Sequence, residues 1–179
     1  MKMRVSVRDL ARQGIFAAVM AVCAWISIPF GSTPFTLQTF ALFLALFTLG
    51  GRGGTVACLV YLVLGAVGLP VFSGFRGGLG AILGPTGGFL WGLAAAGLIY
   101  WLCTRIWGEK AGLWSAFLGM AVCYFLGTAW YVTAYAKDAG WWAGFLACVA
   151  PYIIPDVLKI LLARQLARRL VRIEKPSGT

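Results

Sequence analysis

The chain has no histidine, and only five of its 179 residues are acidic. The first absence removes the usual general base and the commonest metal ligand, and the second leaves no set of carboxylates for a metal cage, which weakens hydrolase and metalloenzyme readings. Charged residues of either sign amount to 11%, against about 25% in a soluble domain. Also missing are a Cys-x-x-Cys pair, a Walker phosphate loop and a Gly-x-Gly-x-x-Gly fingerprint. The cysteines, Cys23, Cys58, Cys103, Cys123 and Cys148, sit in apolar runs and read as small buried hydrophobes rather than metal ligands or a disulfide framework. What is present is apolar: 61% hydrophobic residues and a mean hydropathy of +0.88 define an integral membrane protein. With spans of ~20 residues and short connections, the length admits about six transmembrane helices in an all-α fold, a single integral membrane domain over 1–179 with no soluble catalytic module.

Against this background one short stretch is anomalous. Residues 151–163, PYIIPDVLKILLA, place a carboxylate and an ammonium, Asp156 and Lys159, inside an apolar span. A charge at the bilayer centre costs at least ~2.5–3.5 kcal/mol, so such residues face a bundle interior or cavity and mark a site by default. The i,i+3 spacing puts both on one helix face, where they can pair with each other or grip one ligand together. Pro155 suits the first helical position, and a carboxylate just after it is stabilised by the positive end of the helix dipole, so Asp156 is expected to stay ionised. The alternative is an ion pair that merely holds the last helix in its bundle.

A first span is expected over 10–28, ended by Pro29 with Gly31 and Pro34 following; no A-x-A site marks it as a cleaved signal. Gly14 with Ala18, and Ala17 with Ala21, form small-xxx-small pairs that admit a close helix, either within the bundle or from a partner. PFTLQT at 34–39 opens a second span, and GGRGG around Arg52 turns the chain back into a third over 55–69. Both are short, so a re-entrant hairpin competes, but an arginine among glycines is far cheaper at a surface than at mid-membrane. Residues 69–88, LPVFSGFRGGLGAILGPTGG, are too broken for a helix and too apolar for an exposed loop, as expected of a lid lining a cavity, with Arg76 as its charge; a purely structural connector is the other reading. Spans follow over 89–107 and 113–135. Trp130, Tyr131 and Tyr135 suit an aromatic belt or a ligand stack, Trp141 and Trp142 the belt. Lys2, Arg4, Arg8, Arg12, Arg52, Arg105, Lys110, Arg164, Arg168, Arg169, Arg172 and Lys175 fall on one side of this arrangement, against Arg76 and Lys137 on the other. The positive-inside rule makes the first group cytosolic, with both termini inside. The net charge of +10 thus reflects topology and not nucleic-acid binding.

Three motifs occur in order: PFTLQT, then GLPVFSGFRGG with LGPTGG, then PYIIPD-x-x-K. Together, over essentially the whole chain, they resemble the BioY family, the biotin-specific substrate-binding components of energy-coupling factor (ECF) transporters. The resemblance implies a six-helix S-component fold with a glycine-rich substrate-side loop, set in the bacterial cytoplasmic membrane. Biotin is the transported ligand and no cofactor is implied. The implied partners are a transmembrane coupling component and two ABC ATPases, docked through small residues of the first helix, the region of Gly14, Ala17, Ala18 and Ala21. By position Asp156 and Lys159 match residues expected to contact biotin, and Gln38 and the 84–88 turn, with Gly84, Thr86 and neighbouring Phe89, fall in matching loops. Arg76 suits the anionic tail, although some members carry an arginine where this chain has Leu90. With no nucleotide motif, concentrative uptake needs an outside energy source; a stand-alone facilitator, or a proton-coupled carrier using Asp156 as relay, is the rival reading.

Overall fold

The structure, a computed structural model, describes residues 6–29, 33–138 and 140–174. Gly31 and three of the counted basic residues, Lys2, Arg4 and Lys175, lie outside them. The described elements are α1 (Val7–Trp25), β1 (Ser27–Ile28), β2 (Phe35–Thr36), α2 (Gln38–Ala66), a 3-10 turn at Ser73–Phe75, α3 (Leu79–Ile82), α4 (Gly87–Trp107), a 3-10 turn at Glu109–Ala111, α5 (Gly112–Ala134), α6 (Gly140–Cys148), a 3-10 turn at Ala150–Tyr152 and α7 (Ile153–Glu174). Among the described residues, four stretches are long and apolar enough to cross a membrane: Gln38–Ala66, Gly87–Trp107, Glu109–Ala134 and Gly140–Ile173.

The first helix starts where its chemistry dictates, with the Ser6 hydroxyl accepting from the Arg8 N–H and Asp9 in the first turn. Its small residues divide between two faces. Ala17 and Ala21 are buried within the bundle, while Gly14 and Ala18 are exposed, and a Cβ built on Gly14 would meet nothing within 4 Å. Of the four small residues, Ala17 and Ala21 thus pack inside the bundle and only Gly14 and Ala18 lie on an open face, because positions offset by three residues point about 60° away on a helix of 3.6 residues per turn.

The turn expected at GGRGG is present. Gly50, at φ 76° and ψ 169°, breaks α2, and the two arms, 38–49 and 51–66, fold back on each other. A Cβ on Gly54 would lie 2.6 Å from the Leu46 Cα, and the Gln38 amide donates to the Tyr61 hydroxyl at 2.6 Å, pairs that a straight helix would hold about 12 and 34 Å apart. Close approach recurs between α4 and α5, which share the most extensive helix contact: a Cβ on Gly92 would lie 2.9 Å from the Cys123 Cα, and one on Gly119 2.9 Å from the Ala96 carbonyl. Without a hydrophobic driving force between helices in lipid, such small-residue seams carry the packing. The fully buried side chains include Met20, Leu42, Phe43, Leu46, Tyr61, Tyr100 and Ile160, whereas Leu98, Leu118, Phe125 and Leu162 face outward, as a lipid-immersed bundle requires.

Two features depart from the expected spans. A two-stranded ribbon pairs Ser27 with Thr36 and Ile28 with Phe35, tying the end of α1 to the start of α2 in a chain expected to be all helix. The last helix begins at Ile153, so Pro155 is its third residue and not its first; its missing N–H is still one of the first-turn groups that have no intrahelical partner.

Candidate functional site

The starts of α2, α4 and α7, the middle of α5 and the end of α6 come together toward one end of the bundle with the 33–36 stretch and the glycine-rich segment, and enclose a pocket there. Its polar floor is Asp156 and Lys159, 5% and 7% exposed. The Lys159 ammonium donates to Asp156 Oδ1 at 2.8 Å and to the Thr36 carbonyl at 2.6 Å, and stands 3.9 Å from the centroid of the Phe35 ring. Asp156 Oδ1 also accepts from the Thr39 hydroxyl at 2.9 Å, and Oδ2 accepts from the Tyr124 hydroxyl at 2.6 Å. The carboxylate has thus filled three of its roughly four lone-pair sites and the ammonium two of its three donors. Each keeps one position for a ligand. The pair is electrically neutral as a unit and multiply hydrogen-bonded, the condition under which buried charges are tolerated.

Gln38 sits beside this pair, 8% exposed; it donates to Tyr61 and accepts from the Thr36 hydroxyl at 3.0 Å. Thr33 closes the same side: its carbonyl accepts from Tyr152, while its own buried hydroxyl has no partner among the described residues. Phe72, Phe89, Leu90, Leu93, Met120, Cys123 and Cys148 supply the apolar wall, and Thr86 lines the pocket as well.

The glycine-rich segment forms the pocket's outer wall, and it is pinned. Trp25 Nε1 donates to the Pro70 carbonyl at 2.8 Å, and its ring stacks on Phe75 at 5.1 Å. The Gly78 N–H donates to the Gly65 carbonyl at 2.7 Å. Trp130 Nε1 donates to the Gly84 carbonyl at 3.0 Å, and the Tyr135 hydroxyl to the Leu83 carbonyl. Trp130 and Tyr135, expected in a belt or on a ligand, therefore hold the loop. The segment is also less irregular than expected, since it contains α3. Arg76 lines the pocket from an exposed position; its Nε donates to the Ser73 carbonyl at 3.1 Å, and its terminal nitrogens make no hydrogen bond among the described residues, which leaves a fork free for an anion.

Of the residues singled out from sequence, Asp156, Lys159, Arg76, Gln38, Thr86 and Phe89 meet in this one pocket. Gly84 does not line it; its carbonyl is engaged by Trp130. Tyr124 belongs to none of the motifs, although a phenol in the middle of an apolar helix, away from either interface, is itself a signal that its hydroxyl has a buried partner.

Solved structures share this architecture. A crystal structure of the S-component for biotin from an ECF-type ABC transporter superposes with a TM-score of 0.82 at 24% identity, covering 96% of this chain and 93% of that one. The S component of a bacterial ECF transporter gives a TM-score of 0.50 at 19% identity, covering 94% and 98%. The fold is thus that of a helical membrane protein, and it matches the fold of these S components. Sequence comparison narrows the class: the biotin transporter BioY of Thermotoga maritima is 38% identical over 173 residues, 93% of this chain and 98% of that protein. A probable biotin transporter BioY of Pyrococcus horikoshii is 36% identical, covering 91% and 96%. The sequence model of the BioY family matches residues 1–175. The chain belongs to the BioY family.

Proposed function

We propose that this protein binds biotin in the pocket around Asp156 and Lys159 and carries it across the membrane as the substrate-specific S component of an ECF transporter. The observation that carries this reading is the buried, multiply bonded ion pair, which lines the pocket with one acceptor site and one donor that no protein hydrogen bond takes. A cyclic urea presents adjacent N–H donors and a carbonyl acceptor, so the Asp156 carboxylate takes an N–H and the Lys159 ammonium donates to the ureido oxygen. Phe89 and the apolar wall suit the fused ring, and the free fork of Arg76 suits the carboxylate tail. Thr86 and the unpartnered Thr33 hydroxyl complete the polar contacts.

The protein is read as a non-enzymatic binding subunit that needs no cofactor or metal. It takes its energy from partners, a transmembrane coupling component and two ABC ATPases, which dock on the Gly14/Ala18 face of α1. Both arms of α2 count as spans, giving six with α1, α4, α5 and α7 in a single membrane domain. Both termini are cytosolic in the bacterial cytoplasmic membrane, and the pocket opens outward. A cysteine placed at Lys137 on a cysteine-free background should then be labelled from outside and one at Arg52 protected; the reverse pattern overturns the orientation. Titration calorimetry with biotin on the detergent-solubilised protein tests the ligand, and absence of heat or saturation refutes it. Uptake by cells with and without the coupling component and ATPases separates this reading from a stand-alone or proton-coupled carrier, which would need neither.

A further inference from the structure

The opposite end of the bundle carries a second concavity. The end of α4, the start of α5 and the last turns of α7 enclose a groove of about 400 Å³, walled by Tyr100, Glu109, Leu113, Arg164, Arg168 and Arg172. The three arginines recur every four residues and so form one stripe along α7. None of them makes a hydrogen bond or ion pair among the described residues, in contrast to Lys159 on the same helix. Arg164 is half-buried at the groove's inner end, with Arg168 and Arg172 exposed toward its mouth. The Tyr100 hydroxyl, which a Cβ on Gly112 would approach to 2.9 Å, donates to nothing described. Glu109 is the single acid of the wall against three cations. Immediately along the chain from these walls, Ile106, Trp107 and Trp114 are 68%, 66% and 77% exposed, an apolar and aromatic flank of the composition that membrane interfaces favour.

We propose that this groove binds the headgroup of an anionic glycerophospholipid. Its phosphate is held by the guanidinium forks of Arg164, Arg168 and Arg172, a hydroxyl of its glycerol headgroup donates to Glu109, and its acyl chains lie along the Ile106, Trp107 and Trp114 flank. Charge complementarity selects the phosphate, since unpaired guanidinium groups recognise it bidentately. The flank selects a lipid over a free anion, because inorganic phosphate has nothing to place there. A basic pocket between helices on the side proposed above as cytosolic faces the leaflet rich in anionic lipid. The site lies at the far end of the bundle from the ligand pocket, and nothing in its chemistry depends on what that pocket holds.

The test uses the full-length protein, delipidated in a neutral detergent and titrated with short-chain phosphatidylglycerol, phosphatidylcholine or inorganic phosphate, read by native mass spectrometry and by the thermal unfolding midpoint. The expected result is retention of one phosphatidylglycerol per chain with a raised midpoint, and no comparable effect of the other two. In the variant carrying Arg164→Gln, Arg168→Gln and Arg172→Gln, phosphatidylglycerol should bind about a hundredfold more weakly, from comparable increments per arginine. Arg169→Gln, exposed on the same helix but outside the groove, should bind as the parent does. Because the triple variant alters the charge that sets topology, the matching triple Arg→Lys variant keeps that charge and loses only the forks; it should bind about tenfold more weakly than the parent. Equal retention of phosphatidylcholine, undiminished binding by the triple glutamine variant, or displacement of the lipid by millimolar phosphate would overturn the proposal.

Discussion

The two ends of the bundle treat charge in opposite ways, and α7 spans both. Near its start Asp156 and Lys159 are almost wholly buried, and every hydrogen bond they make is accounted for by a named partner. Near its end Arg164, Arg168, Arg169 and Arg172 are exposed or half-buried and make no ion pair among the described residues. The difference is one of depth. A charge in the apolar interior must be neutralised and hydrogen-bonded on the spot, whereas a long basic side chain near an interface lays its stem on apolar surface and keeps its head in water or headgroups. The same helix therefore carries a neutralised, hydrogen-bonded pair near one end and guanidinium groups without an ion pair among the described residues near the other.

The sharpest way to break this contrast is to unpair the buried charge. Lys159→Ala leaves the Asp156 carboxylate buried against Thr39 and Tyr124 alone, and should destabilise the protein by about 3–5 kcal/mol, the usual cost of removing one partner of a buried pair. Thermal or denaturant unfolding measures this. Asp156→Asn, which keeps the shape, should weaken biotin binding by more than about 1.5 kcal/mol in titration calorimetry. Unchanged affinity in both variants would return the pair to a purely structural role.

Next in size, Arg76→Ala should cost biotin about 1.5–3 kcal/mol of affinity, the range for hydrogen bonds to a charged group, while biotinamide, whose tail is uncharged, should lose much less. Equal losses for acid and amide would place Arg76 in the loop's architecture and not on the ligand.

The two faces of α1 offer a paired test of comparable size. Ala17→Trp overpacks the chain's own core and should lower stability by about 1–3 kcal/mol. Ala18→Trp points outward, so stability and biotin affinity should be near those of the parent while uptake by cells co-expressing the coupling component and ATPases fails. Wild-type uptake in the Ala18→Trp variant would remove the docking assignment.

A smaller effect is expected from Tyr124→Phe, which deletes the hydrogen bond to Asp156 Oδ2 and should weaken biotin binding by about 1 kcal/mol, measured by calorimetry. At the basic end a single Arg105→Gln change, of an exposed residue, should alter stability by no more than about 0.5 kcal/mol. A loss there as large as that of Lys159→Ala would dissolve the contrast between the ends.

What the sequence by itself determined is what local spacing and composition can carry. Apolar runs between glycines and prolines set the helices, GGRGG set the reversal at Gly50, and an i,i+3 Asp and Lys in an apolar helix must meet wherever that helix goes. Three motifs in order sufficed for the family. Only the tertiary structure decided which chemistry completes the pair, because Thr39 and Asp156 are 117 positions apart and Tyr124 is 32 away. Only packing decided that Ala17 and Ala21 turn inward while Gly14 and Ala18 face out, and that Trp130 and Tyr135 hold the glycine loop by the Gly84 and Leu83 carbonyls respectively. Spacing along a helix determines which residues share a face, but which neighbour that face meets depends on where other helices cross it.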